Sequence, residues 1–420
     1  MENYKDVHFF HTTSQGNIYT MVELPLPNGS TKLLVASLKR EIFCFEFQES
    51  PSGSLIPSSK EVSFTYIPNG AEIISMDAFN RSTTGIEFVI GITIIKNSSD
   101  AEGRLDTYLN IYSGEETEEL NIENIAQSCL NVELSFIPYK LLHMYLVTFD
   151  EDKIINKEVV FVLSGSDNQI HIFRENNEEH NYKEIDNQEY FPEFTKTPSP
   201  VIWIDVYYTQ DFSERITAFA CECGYIKLMK IDVKTNKVVY NFSTRFGNYV
   251  SQVHISPEKD PPPEGLKLLT KTGFRDKRLN LVVVNTILPC LIFHDVLEYG
   301  LTNYSTLPRL SSISMLTCCE VNDIDFDGKK EILVGTNSEE ILLYKRDLEN
   351  VWWLEEIKKV TGPVLGIKCI DMTGDGIKDL VIQSMRGVQV LQHDQHFLQK
   401  ILQNKIDNLT VPSISELNVE

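Results

Sequence analysis

Two short acidic segments in the last quarter of the 420-residue chain have residue types and a spacing suited to binding a cation. The side chains at positions one, three, five and nine are Asp323, Asp325, Asp327 and Glu331 in the first segment, and Asp371, Thr373, Asp375 and Asp379 in the second. Alternate residues of a tight loop point to one side, so these oxygens could converge on a hard cation such as Ca²⁺. Both segments are therefore candidate structural Ca²⁺ sites.

The same segments also fit a turn that needs no cation. An EF-hand is excluded, because its twelfth position requires a bidentate Glu and here holds Val334 in one segment and Ile382 in the other. The alternative to a Ca²⁺ site is an Asx-turn, in which Gly328 and Gly376 supply the positive φ angles. With or without a cation, the segments would hold turns rather than catalyse a reaction, and no cofactor is required.

A repeated hairpin supplies the elements that would position these turns. A strand of apolar residues, a short turn and a second apolar strand recur along the chain, centred on Val35, Ile90, Leu163, Phe219, Val283, Val334 and Val381. The intervals between these centres run from 47 to 73 residues, and a four-stranded propeller blade needs roughly 40–50 residues. The pattern predicts an all-β protein, a seven-bladed β-propeller whose last two blades carry the acidic DxDxDG turns. Two separate β-domains, divided at the Pro-rich stretch 257–265, are the alternative.

Residues 1–393 are predicted to form one propeller, and residues 394–420 a short amphipathic helix with a frayed tail. The strand Val7–Thr12 should pair with the last blade, because closing the ring removes two exposed sheet edges. Residues 257–277 read as a Pro-rich loop. Two further segments do not match the hairpin repeat: Glu115–Leu130 predicts a short helix at a blade edge, and Asn176–Glu193 predicts a long surface loop.

The composition excludes several classes of function. The chain has 60 acidic and 38 basic residues, a net charge of −22, so it lacks the clustered cations that nucleic-acid binding requires. No apolar run reaches the length of a transmembrane segment, and the expected location is cytoplasmic, with the eight cysteines reduced. The sequence contains no HExxH, GxSxG, GxxxxGK[ST] or GxGxxG motif, so we expect no enzymatic activity.

Apolar residues outside the hairpin repeat are the candidates for a partner surface. Trp352 and Trp353 are adjacent, so in an extended strand one ring enters the core while the other stays on the surface. The alternative is that a neighbouring loop covers the outer ring. Ile125, in an amphipathic segment, and Leu398 and Leu402, in the C-terminal stripe, complete the predicted partner surface.

The acidic segments resemble the FG-GAP repeat of integrin-α-type propellers, although the FG and GAP sequences themselves are absent. A wider resemblance covers nearly the whole chain and is carried by Tyr66–Asp77, Asn124–Glu133, Leu163–Ile172, Trp203–Val206 and Asp371–Gly376. These segments are similar to the kaptin family of KICSTOR complex subunits. The loop at 257–277 and the C-terminal tail match that family poorly.

The resemblance implies a non-enzymatic scaffold. Such a subunit would help to hold the GATOR GTPase-activating complex at the lysosome, and so restrain the TOR kinase complex when amino acids or glucose are scarce. Its partners would be the other KICSTOR subunits, including a second FG-GAP-type propeller, and it would lie peripherally on the lysosomal membrane through the complex. The alternative function is an F-actin-associated protein of lamellipodia and stereocilia.

Overall fold

The computed structural model describes residues 1, 3–82, 85–98, 103–151, 153–176, 178–179, 181–259, 278–309, 314–347 and 351–409. Within these residues, 28 strands form seven antiparallel four-stranded sheets, the blades of a β-propeller. Strand β1 (Tyr4–His11) is the outer strand of blade 7. The all-β, seven-bladed fold predicted from the hairpin repeat is confirmed, and so is the C-terminal helix.

Blades 1 to 6 are each built from four consecutive strands, which follow one another from the inner to the outer edge of the blade. Blade 1 contains β2 (Gly16–Pro25), β3 (Thr31–Ser37), β4 (Ile42–Glu49) and β5 (Leu55–Val62). Blade 2 contains β6 (Glu72–Asn80), β7 (Phe88–Asn97), β8 (Leu105–Ser113) and β9 (Cys129–Leu134). Blade 3 contains β10 (Pro138–Asp150), β11 (Lys153–Gly165), β12 (Ile170–Asn176) and β13 (Asn181–Ile185).

Blade 4 contains β14 (Val201–Tyr208), β15 (Glu214–Cys221), β16 (Tyr225–Asp232) and β17 (Lys237–Arg245). Blade 5 contains β18 (Val250–Pro257), β19 (Leu279–Asn285), β20 (Leu291–Phe293) and β21 (Tyr304–Thr306). Blade 6 contains β22 (Leu316–Asn322), β23 (Glu331–Thr336), β24 (Glu340–Arg346) and β25 (Trp352–Lys359), and blade 7 contains β26 (Val364–Ile370), β27 (Asp379–Ser384), β28 (Gly387–His393) and β1. The helices are α1 (Ile122–Ile125), α2 (Asn187–Tyr190), a 3-10 helix (Pro192–Phe194), α3 (Val296–Tyr299) and α4 (Gln395–Leu409).

The core lies between the blades, which explains why the first strand of each hairpin repeat is apolar on both faces. Leu34 of β3 packs in one cluster with Ile90 of blade 2. Its neighbour Leu33, which points to the opposite face, packs with Val381 of blade 7. A strand that is covered on both faces reads as a continuous apolar run rather than an alternating one. This is the pattern from which the seven hairpins were predicted.

The ring is closed by strand pairing between distant parts of the chain. Strand β1 pairs antiparallel with β28, from Tyr4 opposite His393 to His11 opposite Gly387. The inner strands contact one another all the way round, and β26 contacts β2 at the junction of blades 7 and 1. The alternative of two separate β-domains therefore does not describe this chain. The predicted Pro-rich loop at 257–277 and the predicted frayed tail fall almost entirely outside the described residues.

The segment Asn176–Glu193 is wrongly predicted as a surface loop. It contains β13, α2 and the start of the 3-10 helix. Its last residue, Glu193, is fully buried and forms an ion pair with the buried Arg215 of β15, with Nε and Oε1 2.6 Å apart. The polar composition suggested solvent exposure, but a buried arginine in the next blade compensates the charge.

The cysteines and helices agree with the sequence analysis where the structure describes them. All eight cysteines are free thiols. The segment Glu115–Leu130 contains the short helix α1, whose N-cap Asn121 accepts a hydrogen bond from the Asn124 backbone N–H. In the part of the chain that the structure describes, no helix combines the length and the apolar character that crossing a membrane requires.

Candidate functional site

The two acidic turns occupy equivalent places in neighbouring blades. The first connects β22 to β23 in blade 6, and the second connects β26 to β27 in blade 7. Each turn joins an inner strand to a strand that is buried along its whole length. The buried strands fix the two ends of each turn, so the acidic side chains between them are held in place by the core of the blade.

The first turn is folded by hydrogen bonds from backbone N–H groups to its own carboxylates. Asp323 accepts from the N–H of Asp327 at 3.1 Å and from the N–H of Gly328 at 2.9 Å. Asp325 also accepts from the N–H of Asp327, at 3.1 Å. Phe326 and Gly328 have φ angles of 63° and 86°. Glycine adopts such angles without strain, and its presence at position six allows the chain to turn back toward β23.

Three of the four predicted ligands in this turn come together. Asp323, Asp325 and Asp327 each offer a carboxylate oxygen, and these oxygens lie within 4.8 Å of one another. Burial, together with the neighbouring carboxylates, raises the pKa of Asp323. Oδ2 of Asp325 lies 2.5 Å from Nζ of Lys345 on β24, which supplies one positive charge to the group. This arrangement is chemically suited to a hard cation, which would relieve the repulsion among the three carboxylates.

Glu331, the fourth predicted ligand, lies apart from this group. It is the first residue of β23 and is buried, and its carboxylate accepts a hydrogen bond from the N–H of Ile324 at 2.9 Å. Burial raises its pKa to about 7. The side chain therefore closes the turn from the core side, because the strand it belongs to directs it inward.

The second turn uses its carboxylates in the same way. Asp371 accepts from the N–H groups of Gly374 and Gly376, both at 2.7 Å. Asp379 is the counterpart of Glu331: it is buried, accepts from the N–H of Met372 at 3.2 Å, and has a pKa raised by burial to about 7. Each turn is thus closed by an equivalent pair of carboxylates, of which the first (Asp323 or Asp371) is half-buried and the second (Glu331 or Asp379) is buried.

The remaining residues of the second turn do not gather as those of the first do. The Thr373 hydroxyl donates to Asp371 at 3.4 Å, and Asp375 accepts from the N–H of Ile377 at 2.9 Å. Among the described residues, which include this whole turn, the carboxylates of Asp371, Asp375 and Asp379 do not form a cluster like that of the first turn. The first turn is therefore the better candidate for a cation.

One position of the hairpin repeat contacts the acidic turn of its own blade in both blades 6 and 7, and it was not predicted from the sequence. Lys345 on β24 pairs with Asp325, and Gln392, at the equivalent position of β28, forms a side-chain hydrogen bond with Asp379. Each residue directly follows the large apolar residue that ends the second strand of its hairpin repeat, Tyr344 or Leu391. Aligning the two hairpins beyond that residue would have shown that a polar group recurs there.

Some residues of the predicted partner surface are exposed in the structure, and others are buried. Trp352 is 8% exposed and packs in the cluster between blades 5 and 6, whereas Trp353 is 39% exposed and donates from Nε1 to Glu355 at 2.7 Å. On α4, Leu398 is half-buried and Leu402 is 60% exposed. Trp353 and Leu402 therefore remain available to a partner.

Ile125 does not belong to that surface. It is buried with Ile122 in the cluster between blades 1 and 2. The two side chains lie on the same face of the short helix α1, and that face packs onto the sheet. The amphipathic pattern was interpreted correctly as a helix, but the apolar side of that helix packs into the protein's own core.

Comparisons with known proteins show which family this chain is similar to and which solved structures share its fold. The sequence model of the family described as "KICSTOR complex protein kaptin" matches residues 4–403. A mouse (Mus musculus) protein of that same description is 33% identical over 401 residues, which cover 92% of this chain and 87% of the relative.

The solved structures that resemble this chain include two crystal structures of BBS1N in complex with ARL6DN, one soaked with mercury and one with lead. Their TM-scores are 0.51 and 0.52, each with 9% identity and with coverage of 93% of this chain and 96% of the other. At this identity the likeness shows the propeller fold alone.

Proposed function

This chain belongs to the kaptin family of KICSTOR complex proteins, and from that membership we propose that it is a non-enzymatic scaffold subunit of the KICSTOR complex. The observation that carries the proposal is the family match, which extends over nearly the whole propeller. A propeller presents large rigid surfaces, and such a surface can hold several partners in fixed positions without any chemistry of its own.

In this role the subunit helps to hold the GATOR GTPase-activating complex at the lysosome, and so restrains the TOR kinase complex when amino acids or glucose are scarce. It lies in the cytoplasm and reaches the lysosomal membrane peripherally, through the other KICSTOR subunits, one of which is a second FG-GAP-type propeller. The half-exposed Trp353 on the outer strand of blade 6 supports a protein partner, since tryptophan is enriched among the residues that contribute most to interfaces.

A structural role for the acidic turns is part of the proposal. Their carboxylates accept hydrogen bonds from the backbone of their own turns, as Asp323 and Asp371 do, which is the geometry of a folded turn rather than of a group poised for proton transfer. We assign a structural Ca²⁺ to the Asp323–Asp325–Asp327 group, where it would hold the β22–β23 turn. We assign no cation to the second turn, because its carboxylates do not cluster in this way.

Purification of the tagged chain, expressed at its natural level, tests this function directly. The expected result is recovery of the other KICSTOR subunits in the same particle, and crosslinking mass spectrometry should place crosslinks between that particle and blade 6. Loss of the chain should also release the GATOR complex from a purified lysosomal fraction. Recovery without any KICSTOR subunit would refute the proposal, and co-sedimentation with F-actin in their place would establish the cytoskeletal alternative.

A further inference from the structure

The seven inner strands carry a ring of titratable side chains. Each inner strand has a break in its pairing register, and pairing resumes at Met21, Ser75, Leu141, Trp203, Gln252, Cys318 and Gly366. Two residues further along, the strands hold Glu23, Asp77, His143, Asp205, His254, Glu320 and Lys368. We call these seven residues the channel ring. All seven are half-buried, as expected for side chains beside the central channel of a propeller.

Members of the channel ring bridge neighbouring blades. Asp77 of blade 2 lies 2.8 Å from Nδ1 of His143 in blade 3. Asp205 of blade 4 lies 3.2 Å from Nδ1 of His254 in blade 5. Each contact crosses the joint between two inner strands, so each one ties two blades together at the channel.

The junction of blades 7 and 1 is bridged in the same manner. Lys368 and Glu23 lie 2.8 Å apart across it. Glu320 of blade 6 reaches blade 7, where its carboxylate accepts a hydrogen bond from the backbone N–H of Cys369 at 3.3 Å. Charged members of the channel ring therefore act at four joints.

At the other three joints, uncharged groups of the inner strands form hydrogen bonds between the blades. These contacts are Asn17 Nδ2 to Ile74 O at 2.8 Å between blades 1 and 2, the Tyr145 N–H to the Tyr208 hydroxyl at 3.0 Å between blades 3 and 4, and Gln252 Nε2 to Cys319 O at 3.2 Å between blades 5 and 6. None of these groups changes charge near neutral pH. The two joints that contain a titrating histidine, between blades 2 and 3 and between blades 4 and 5, are thus separated by a joint without one, between blades 3 and 4.

The surroundings of the two histidines favour their charged forms. Burial acts to lower the pKa of His143, but Asp77 outweighs it and the net pKa is raised; Lys157 of β11 opposes the shift weakly. Burial also acts to lower the pKa of His254, and Asp205 again reverses the direction, with Glu320 in support and Lys368 in opposition. Glu23 holds the pKa of Lys368 above its ordinary range, so that this residue stays charged near neutral pH.

We propose that the channel ring is a pH-dependent clamp, in which protonation of His143 and His254 tightens the joints between blades 2 and 3 and between blades 4 and 5 as the pH falls from alkaline to slightly acidic values. Protonation converts the hydrogen bond between a neutral imidazole and the facing aspartate carboxylate at each joint into an ion pair. The contacts made by uncharged groups, and the junction held by Lys368, keep their strength over the same range. Lys140 of β10, whose Nζ lies 4.4 Å from the ring centre of Trp203 in blade 4, is a further titrating group beside the channel ring, because burial lowers its pKa to about 8 and it interacts with Asp77 and Asp205. Mild acidification therefore stiffens two specific joints of the ring.

The direction of the effect follows from the two raised pKa values. A histidine with a raised pKa in the folded state contributes stability that is fully present below its ordinary pKa of about 6.5, and this contribution is lost as the pH rises through the folded value. The pKa of Asp205 is lowered, because hydrogen bonds from His254 and the backbone outweigh the effect of burial. Its contribution therefore persists until the pH falls below the ordinary carboxylate range. The clamp is tightest on the acidic side of neutrality.

Hydrogen exchange measured by mass spectrometry tests the clamp in the full chain. After correction for intrinsic exchange rates, protection of β6, β10, β14 and β18 should be about two- to fivefold higher at pH 6 than at pH 8. His143→Gln should abolish this difference in β6 and β10 while β14 and β18 keep it, and His254→Gln should do the reverse. His396→Gln, at an exposed position of α4, is the matched control and should change neither pair of strands.

Pair-specific loss of the difference supports the clamp, whereas the same pH dependence in wild type and in both variants would overturn it. Melting temperature alone is not decisive, because His171 also pairs with acidic groups, Glu184 and Asp167, and has a raised pKa. If a variant fails to fold, an NMR titration of histidine-labelled wild type decides the question. His143, His254 and His171 should then titrate clearly above pH 6.5, and a value at or below 6.5 for His143 or for His254 would contradict the clamp, whatever the value for His171.

Discussion

Replacing each of the two adjacent tryptophans of β25 by alanine should have opposite consequences. Trp352 lies in the apolar cluster between blades 5 and 6, and the guanidinium of Arg346 lies 5.6 Å from its ring centre. Trp353 points to the other face of the same strand and is 39% exposed. We expect Trp352→Ala to lower folding stability and Trp353→Ala to leave stability intact while weakening assembly of the complex.

The size of the first effect can be worked out from burial. Removing a buried tryptophan from a core costs about 3–5 kcal/mol. Unfolding entropy of about 2.1 cal/mol/K per residue gives about 0.9 kcal/mol/K for a chain of this length, if it melts as one unit. Trp352→Ala should therefore lower the melting temperature by about 3–6 °C. Trp353→Ala removes a surface side chain, which changes the free energy of unfolding by about 0.5 kcal/mol or less and shifts the melting temperature by less than about 1 °C.

The assay combines thermal melts followed by circular dichroism with recovery of KICSTOR subunits on the tagged variants. Tyr240→Ala is the matched control, because Tyr240 is a 41% exposed aromatic on the outer strand of blade 4. It should alter neither the melting temperature nor the recovery. If both tryptophan variants are destabilised and neither is selectively defective in recovery, the pair belongs to the core and the partner surface lies elsewhere. Equal loss of recovery in Trp353→Ala and Tyr240→Ala would show that the effect is not specific to blade 6.

Three further predictions concern stability. Deleting residues 1–14 should lower the melting temperature by at least about 5 °C, because β28 loses its strand partner; an unchanged value would contradict closure by β1. Asp327→Ala should lower the free energy of unfolding by about 1–3 kcal/mol. A chelator should lower the melting temperature of wild type and of the control Asp375→Ala, but not that of Asp327→Ala. Equal responses of the three proteins to the chelator would show that the first turn holds no cation. Arg215→Met should cost about 3–5 kcal/mol in urea denaturation, because it leaves a buried carboxylate unpaired, whereas Arg174→Met, which breaks a half-exposed pair, should cost less than about 1 kcal/mol.

The hairpins could be predicted from sequence because their burial is continuous. Strands such as β19 and β27 are covered on both faces, and a run of Val, Ile and Leu is the direct consequence of that environment. The acidic turns were also recognisable, since the spacing of Asp323, Asp325 and Asp327 brings their oxygens together in a tight loop. Glu331 was harder to place, because its direction is set by β23 rather than by the turn.

The channel ring was not recognisable from sequence, because its register depends on pairing that the sequence does not show. Asp205 comes 13 residues before its pairing partner Ala218, whereas His254 comes 28 residues before its partner Val282. Connections of such different length hide the equivalence of the two positions. The same limit applies to Glu193, whose burial depends on Arg215 in the next blade. Long-range partners of this kind leave no local signal.

Closure of the ring by β1 and β28 has a consequence for synthesis of the protein on the ribosome. His11 and Gly387 are paired neighbours in blade 7 but are separated by 376 positions along the chain. At elongation rates of about 5–20 residues per second, β1 waits about 20–75 s for its partner strand to be made. During that interval its edge can pair with other nascent chains. Most side chains of β1 are exposed, Lys5 and Asp6 among them. Charged residues on a strand edge that is still unpaired oppose such pairing. Polysomes that bring several copies close together are therefore where misassembly of this propeller should begin.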